Sequence, residues 1–566
     1  MAIENHNKTL QTAFAPSPAT NPSWRFGDLP AAELMPQLQR HLIAQDSKAN
    51  WQLVWLNNDG RPVIGLLPKT SWSVYFANHE AFTPYKVMTH HRDVSTTTST
   101  EKNKALTATH MSYSVWQEEL IAYSRRYESD KPINKESEKP NYHHGLIGFI
   151  GYDIAAHELS PNANIKLAAQ PCAVLGHYDI YLAPTNKDGH SFWTLKVNKT
   201  HNNDDEDKKK SALITALASY LESLDKTLSD KDYQASLKKS SLPAPLNLAS
   251  RWNKGNYQKA FAQTQDYLEQ GDCYQINLTQ AWHGNLADQH APDNSLVNLI
   301  DYLPPLHQNT QAPFAGYLAS ACLDNKLSDE PDQTRLLAHS SKRSNTFELL
   351  SCSPELFFTF IKDNETGKHH IRTKPIKGTM PRGITTEQDN HYKQQLSNSE
   401  KDRAENVMIV DLLRNDLGKY AKIGSVKVPQ LFAIESFSNV HHMVSTITAE
   451  LKTDTHPLAV LFGSLPAGSI TGTPKKRAVE IISELEATPR GAYCGTMGYM
   501  NFDGSGQWNV LIRTLQAQTY RHKGEVNRKV SLWAGGGITV ASDCDAEYQE
   551  CHDKVGNLLS VLNQKA

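Results

Sequence analysis

Two stretches place carboxylates at helical spacing among apolar residues. In "SEKDRAENVMIVDLLRNDLG" (399 to 418), Asp402, Glu405, Ile409 and Leu412 fall on one stripe at about 100° per residue. In "AEYQECHDKVGNLLSVLNQ", Glu547, Glu550 and Lys554 share a stripe with Leu558, Val561 and Leu562. A buried carboxylate is costly unless it is paired or binds a metal. Two acidic pairs with no Cys or His cluster beside them suit Mg²⁺, a hard cation that takes one or two carboxylates and an anionic substrate group. Two solvated helix faces carrying Glu to Lys pairs are the competing reading, and the sequence does not say that the helices face each other. "TKPIKGTMPRG" sets Lys377 between an isoleucine and a glycine, where its amine is either solvated or a nucleophile. Gly535, Gly536 and Gly537 in "WAGGGITVASD" let backbone N–H groups approach an anion, or form a bulge. Arg513, in the strand-like run "NVLIRTL", needs a carboxylate partner from protein or ligand. His442 in "SNVHHMVSTI" is a proton donor or a hydrogen-bonded core histidine.

These residues need a scaffold. Strand-like runs include "WQLVWL", "SWSVYFA", "HGLIGFIGYD", "CYQINLTQAW", "FELLSCSPELFFTFI", "GYMNFDGSGQWNVLIRTLQAQTY" and "KVSLWAGGGITV". "NYQKAFAQTQDYLEQG" reads as a helix capped by Gly271, and Gly418 stops the first acidic helix. The texture changes near residue 246, which predicts a first domain over 1–245 and a second, site-bearing one over 246–566. Polar runs at 90–104 and 200–211 read as surface insertions, and 319–346 as a hydrophilic loop between strands. No internal repeat is present. The fold class is α+β, with mainly antiparallel sheet.

Composition narrows the function. The 566 residues carry 58 Lys plus Arg against 60 Asp plus Glu, so no net field draws a nucleic acid or an anionic membrane. Seven dilute cysteines without a C-x-x-C pair make neither a disulfide framework nor a zinc site. No signal-like N-terminus and no spanning apolar run are present, so a soluble cytoplasmic protein is expected.

From about Gly271 to Lys554, the ordered pieces "GDCYQINLTQ", "SPELFF", "PIKGTMPRG", "DRAENVMIVDLLRNDLG", "VHHMVS", "LPAGSITGTPKKRA", "RGAYCGTMGY", "IRTL", "AGGGIT" and "AEYQECHDK" resemble the chorismate-utilising enzymes. That family includes the large subunits of anthranilate and aminodeoxychorismate synthases, with isochorismate and salicylate synthases as cousins. The resemblance implies two antiparallel β-sheets packed as a sandwich with helices outside. It implies Mg²⁺ on Glu405 and Glu550, supported by Asp402 and Glu547. It also implies chorismate contacts from Gly378, Thr379, Tyr493, Arg513, Gly535, Gly536, Gly537 and Lys554, with Glu355 and His442 serving proton transfer and departure of the 4-hydroxyl. Asp402 departs from the pattern, since many relatives carry Glu there.

Within that family, alanine usually stands in anthranilate synthases where this chain has Lys377; the lysine form resembles the aminodeoxychorismate synthases. An amine there can attack C2 of chorismate and direct ammonia to C4. A nearby Mg²⁺, burial and Lys374 are expected to lower its pKa. No cysteine lies in the G-x-C-x-G context of a glutaminase nucleophile, so a separate glutamine amidotransferase subunit is the expected ammonia source. Tryptophan-regulated relatives carry Leu-Leu-Glu-Ser, for which "LLPK" (Leu66 to Lys69) is the nearest candidate, and "PFA" (Pro313 to Ala315) leaves room for a tryptophan pocket without feedback inhibition. The rival readings are an anthranilate synthase component and a non-catalytic binding subunit.

Overall fold

Near-continuous apolar strands such as "GLIGFI" and "LFFTFI" require burial on both faces, and the computed structural model satisfies this with two stacked sheets covered by helices. It describes residues 21–46, 51–77, 82–92, 106–128, 139–198, 204–239, 243–286, 297–321, 346–437, 440–522 and 525–563. Every strand pairing among them is antiparallel. The first sheet runs, edge to edge, through Ser23–Trp24, His190–Val197, Ile180–Lys187, Val63–Gly65, Val54–Leu56, Gly316–Ala321, Thr346–Ser351, Thr514–His522, Glu525–Ile538, Gln275–Asn285 and Ala249–Ser250. The second runs through Ile376–Pro381, Val440–Glu450, His369–Lys374, Leu356–Lys362, Gly506–Asn509, Thr496–Asn501, Gly145–Ile150, Ala173–His177, Thr70–Phe76, Tyr85–His91 and Leu106–Met111.

Strand period two sorts the side chains into layers. Phe347 and Leu349 of the first sheet meet Ile147, Phe149, Met497 and Tyr499 of the second in one interlayer core. On the first sheet's outer face, Ile276, Leu278 and Ile538 join Ile482, Val555 and Leu558 from the helices Lys475–Glu486 and Cys544–Leu562. On the second sheet's outer face, Phe358, Phe360 and Ile447 join Ile409 and Leu413 of the helix Glu400–Gly418. The α+β sandwich with outer helices is therefore the observed architecture.

Strands from both sides of residue 245 share each sheet. Val54–Leu56 pairs with Gly316–Ala321, and Gly145–Ile150 with Thr496–Asn501. The "GYD" that follows Gly145–Ile150 adds a second tie: Asp153, 1% exposed, accepts N–H bonds from Ala168 (2.9 Å), Arg490 (3.0 Å) and Gly491 (2.9 Å).

The structure corrects three local readings. The run 200–211 is not simply a surface insertion: the helix Asp204–Ser229 starts within it, and Lys210 is buried against Asp179 at 2.7 Å, because Asp179 and Arg92 (2.8 Å) form an internal ion-pair cluster that a charged residue completes. "FELLSCSPELFFTFI" is two strands, Thr346–Ser351 in one sheet and Leu356–Lys362 in the other. "GYMNFDGSGQWNVLIRTLQAQTY" likewise crosses between Gly506–Asn509 and Thr514–His522, which places Arg513 in the crossing and not within a strand. Pro354 and the left-handed φ of 51° at Arg513 mark the breaks that a strand pattern cannot continue through. Residues 93–104 and 322–345 lie outside the described residues; the strands flanking the latter pair at Ala321 and Thr346.

Candidate functional site

The two chain crossings run side by side between the sheets and brace each other. Cys352 N–H donates to Arg513 O at 3.0 Å, Val510 N–H to Glu355 O at 3.1 Å, and Ser353 Oγ to Val510 O at 2.6 Å. They carry Glu355 and Arg513 into one space. Glu355 is 7% exposed, and burial pushes its carboxyl up to about 7 against the opposing pull of Lys377 and Lys554. Arg513 is driven below the usual guanidinium range by burial, partly offset by Cys352 and Glu355. The expected carboxylate partner is not found within bonding distance: no hydrogen bond or ion pair of its guanidinium is present among the described residues. Its five donors suit a carboxylate ligand.

The strand Ile376–Pro381 forms the next wall. Its register shifts between Ile376 and Thr379 against the strand Val440–Glu450, and Gly378 has φ 86° in the bulge. A Cβ on Gly378 would stand 2.9 Å from Asp402 Cγ and 2.8 Å from Leu396 Cδ1, so only glycine lets Asp402 pack there. Thr379 pairs with His442, and its Oγ1 lies 2.8 Å from His442 Nδ1. Burial, then Arg513, lowers His442 to about 4, so its imidazole is neutral at physiological pH.

Helix caps aim the acidic stripes. Ser399 Oγ accepts from Asp402 N–H, and the Asp543 side chain accepts from Ala546 N–H, so Asp402 and Glu547 lie in the first turns of their helices, with Glu405 and Glu550 about one turn further on. The Lys377 ammonium lies 2.6 Å from Glu405, Lys554 lies 2.6 Å from Glu550, and Lys554 also donates to Gly535 O at 2.8 Å. A Cβ on Gly536 would stand 2.7 Å from Glu547 Oε2 and 3.7 Å from Glu550 Oε1. Glycine there admits both carboxylates to the strand end. Burial and Glu550 raise Glu547; burial also raises Glu550, but Lys554 outweighs it and its pKa falls. Tyr493, 3% exposed, stacks on Trp533 at 6.0 Å.

The lowered pKa expected for Lys377 is not what the structure shows. Burial acts in that direction, but Glu405, then Glu550 and Glu547, overcome it and raise the pKa. Lys374 takes no part, because its Nζ is held by Glu435 at 2.5 Å. Among the described residues no three His, Cys, Asp or Glu groups converge as an ion cage. The donor set is nonetheless all carboxylate, which fits Mg²⁺ chemistry, and lysines now neutralise its oxygens. Sequence reasoning missed Lys401, 3.6 Å from Glu547 and 4.0 Å from Glu405; its place one helical turn before Glu405 was the available signal.

The tryptophan expectation finds no support. Phe314 and Ala315 line a cavity of about 20 Å³ with Leu56, Asn58 and Tyr499, room for roughly one water molecule and far less than an indole. Leu66 to Lys69 lies elsewhere, where Lys69 N–H donates to His177 O at 2.8 Å.

A family model described as chorismate binding enzyme matches residues 74–560. Aminodeoxychorismate synthase component 1 of Escherichia coli (strain K12) is 36% identical over 425 residues, 74% of this chain and 77% of that protein. Anthranilate synthase component 1 1 of Haloarcula marismortui is 29% identical over 79% of this chain and 81% of its own length. Among solved structures, anthranilate synthase component I from Streptococcus pneumoniae superposes with a TM-score of 0.60 at 20% identity, over 88% of this chain and 91% of that one, which speaks for the fold. With Lys377 against Glu405, Lys554 against Glu550, and a family match spanning residues 74–560, the chain belongs to the chorismate binding enzymes.

Proposed function

We propose that the protein is an aminodeoxychorismate synthase component 1, converting chorismate and ammonia to 4-amino-4-deoxychorismate and water. The observation that carries this reading is the position of Lys377, whose amine stands at the acidic wall within electrostatic reach of Glu355, Glu405 and Glu550. The similarity to the Escherichia coli relative supports the same activity.

Chorismate, a dicarboxylate, needs donors, and Arg513, Thr379 and the backbone of Gly535 to Gly537 supply them. Lys377, once deprotonated, attacks C2 as the 4-hydroxyl departs. Glu355 gives that oxygen its proton; at about 7 its carboxyl is still substantially protonated in a neutral cell. His442, being neutral, gives the hydroxyl a hydrogen bond and not a proton. With C2 occupied, ammonia adds at C4, the C2–N bond breaks, and the lysine takes back its electron pair. One ammonia enters and one water leaves. Mg²⁺ would be held by Glu405 and Glu550 with Asp402 and Glu547 in support, and when bound it supplies a Lewis acid for the ring carboxylate. Ammonia comes from a glutamine amidotransferase on a separate chain, consistent with the relative's name as one component of a synthase.

Purified protein, chorismate, Mg²⁺ and an ammonium salt are expected to yield 4-amino-4-deoxychorismate by mass. Without ammonia, a covalent adduct is expected on Lys377, absent from Lys377→Ala. Anthranilate as product, unreacted chorismate, or an adduct that survives the substitution would each overturn the reading.

A further inference from the structure

We infer that Asp389 positions the Thr379–His442 pair, acting through His441 and Arg382; the inference rests on the function proposed above. Adjacent residues of a strand point to opposite faces, so on Val440–Glu450 the side chain of His442 turns to Thr379 and that of His441 turns away. His441 is 0% exposed and meets the helix Thr386–Ser397, with Nε2 2.8 Å from Asp389 Oδ1. Its other nitrogen, Nδ1, lies 2.8 Å from Ser436 Oγ on the strand Lys427–Ser436. The ring is fixed at both ends.

The same carboxylate holds the other strand of the pair. Arg382 Nε donates to Asp389 Oδ1 at 2.7 Å, Arg382 Nη2 to Oδ2 at 3.3 Å, and Gly383 N–H to Oδ1 at 2.9 Å. Arg382 and Gly383 directly follow Ile376–Pro381, the strand that carries Lys377 and Thr379. A Cβ on Gly383 would collide with Asp389 N, so glycine lets the strand exit pack on the start of the helix. In register, Thr379 faces His442, Met380 faces His441 and Pro381 faces Val440, which places the grip of Asp389 just beyond the Thr379–His442 bond on both strands. Arg382 Nη1 also donates to Phe437 O at 2.6 Å, and the Phe437 ring stands 5.5 Å from the His442 ring. Two strands and an aromatic ring beside His442 are thus tied to one carboxylate.

Charge makes the tie firm. Arg382, then the Gly383 N–H, hold the Asp389 carboxyl well below the usual carboxylate range, so it remains an ionised acceptor for these donors, with Lys393 adding a contact at 3.1 Å. Because His441 and His442 point to opposite faces, Asp389 lies across the strand from the reacting atoms and is a positioning residue. Its effect should fall on departure of the 4-hydroxyl, which His442 assists. Chorismate affinity depends instead on Arg513 and the backbone of Gly535 to Gly537.

The test mixes the full chain with chorismate and Mg²⁺ in a single turnover without ammonia and follows the Lys377 adduct by mass. Asp389→Ala and His441→Phe are each expected to slow adduct formation about ten- to a hundredfold. The chorismate KM, measured with ammonium chloride, should change less than about threefold. The double variant should be no slower than the slower single one, because both changes sever one link. Asp389→Asn keeps an Oδ1 acceptor for Arg382, Gly383 and His441 and should recover most of the rate. His441→Phe leaves Asp389 on Arg382, so it tests the tie even if Asp389→Ala does not fold. An unchanged rate in the folded variants overturns the inference. So does a chorismate KM that rises in proportion to the loss of rate, or an Asp389→Asn variant as slow as Asp389→Ala, since Asp389 would then serve the fold in general. If the unaltered protein forms no adduct, the proposed function and this inference both fall; if it does and the variants match it, only the positioning role falls.

Discussion

Glu355 and Gly536 show how single residues tune this site. The Glu355 carboxyl rises from its ordinary 4.5 to about 7 on folding. The native state therefore binds that proton more tightly than the unfolded chain. Its contribution to stability is complete below about pH 4.5 and is lost as pH rises through 7. Glu355→Gln removes this dependence, so denaturant midpoints should favour the variant by roughly 1–3 kcal/mol at pH 8 and not at pH 4, while 4-hydroxyl loss falls by at least about a hundredfold. Gly536→Ala adds a methyl group 2.7 Å from Glu547 Oε2. That carboxylate ends a flexible side chain and can turn aside, so we expect a stability change below about 1 kcal/mol but a Mg²⁺ dependence of activity shifted to higher concentration, read by titrating the metal.

At the scale of elements, the paired crossings decide the site. Strands that change sheets leave the hydrogen-bond ladder, and each crossing satisfies part of its backbone through the other. Ser353 is fully buried, and its hydroxyl satisfies Val510 O at 2.6 Å. Ser353→Ala would take from Glu355 N–H its Ser353 Oγ acceptor (3.2 Å) and leave Val510 O with Ile512 N–H at 2.8 Å, at a cost of about 1–3 kcal/mol. Because the same bond fixes the spacing of Glu355 and Arg513, kcat should fall together with the urea midpoint; an unaltered kcat would mean that the crossings hold their geometry without it. The strand Ile376–Pro381 obeys a similar logic: its bulge turns Lys377 toward the acidic helix and leaves Gly378 to accept Asp402.

At the scale of the molecule, both sheets are continuous across residue 245, and the tie through Asp153 is buried. A segment beginning at 246 would expose the edges of Gly316–Ala321 and Thr496–Asn501, which are paired in the whole chain. Unfolding followed by far-ultraviolet circular dichroism and by tryptophan fluorescence should thus coincide in one transition; two separated transitions would show that the halves fold independently. The cluster of Asp179 with Arg92 and Lys210 secures the first segment. Asp179→Ala strands two buried cations and should destabilise the protein by about 3–5 kcal/mol in urea denaturation.

The sequence by itself determined the helices bearing Glu405 and Glu550, the antiparallel strands and the chemistry of the site residues. All of these depend on local periodicity, caps and residue type, which neighbours in the chain supply. It did not reveal that "SCSPE" and "VLIR" leave one sheet for the other, because an apolar strand reads alike in either layer. Nor did it show that Lys210 is buried, since its partner Asp179 lies 31 residues away. Only the tertiary structure brought Lys377 to within 2.6 Å of Glu405 and reversed the expected direction of its pKa shift. Charge on a buried amine is set by whichever groups the fold places around it, and those groups are far apart along the chain.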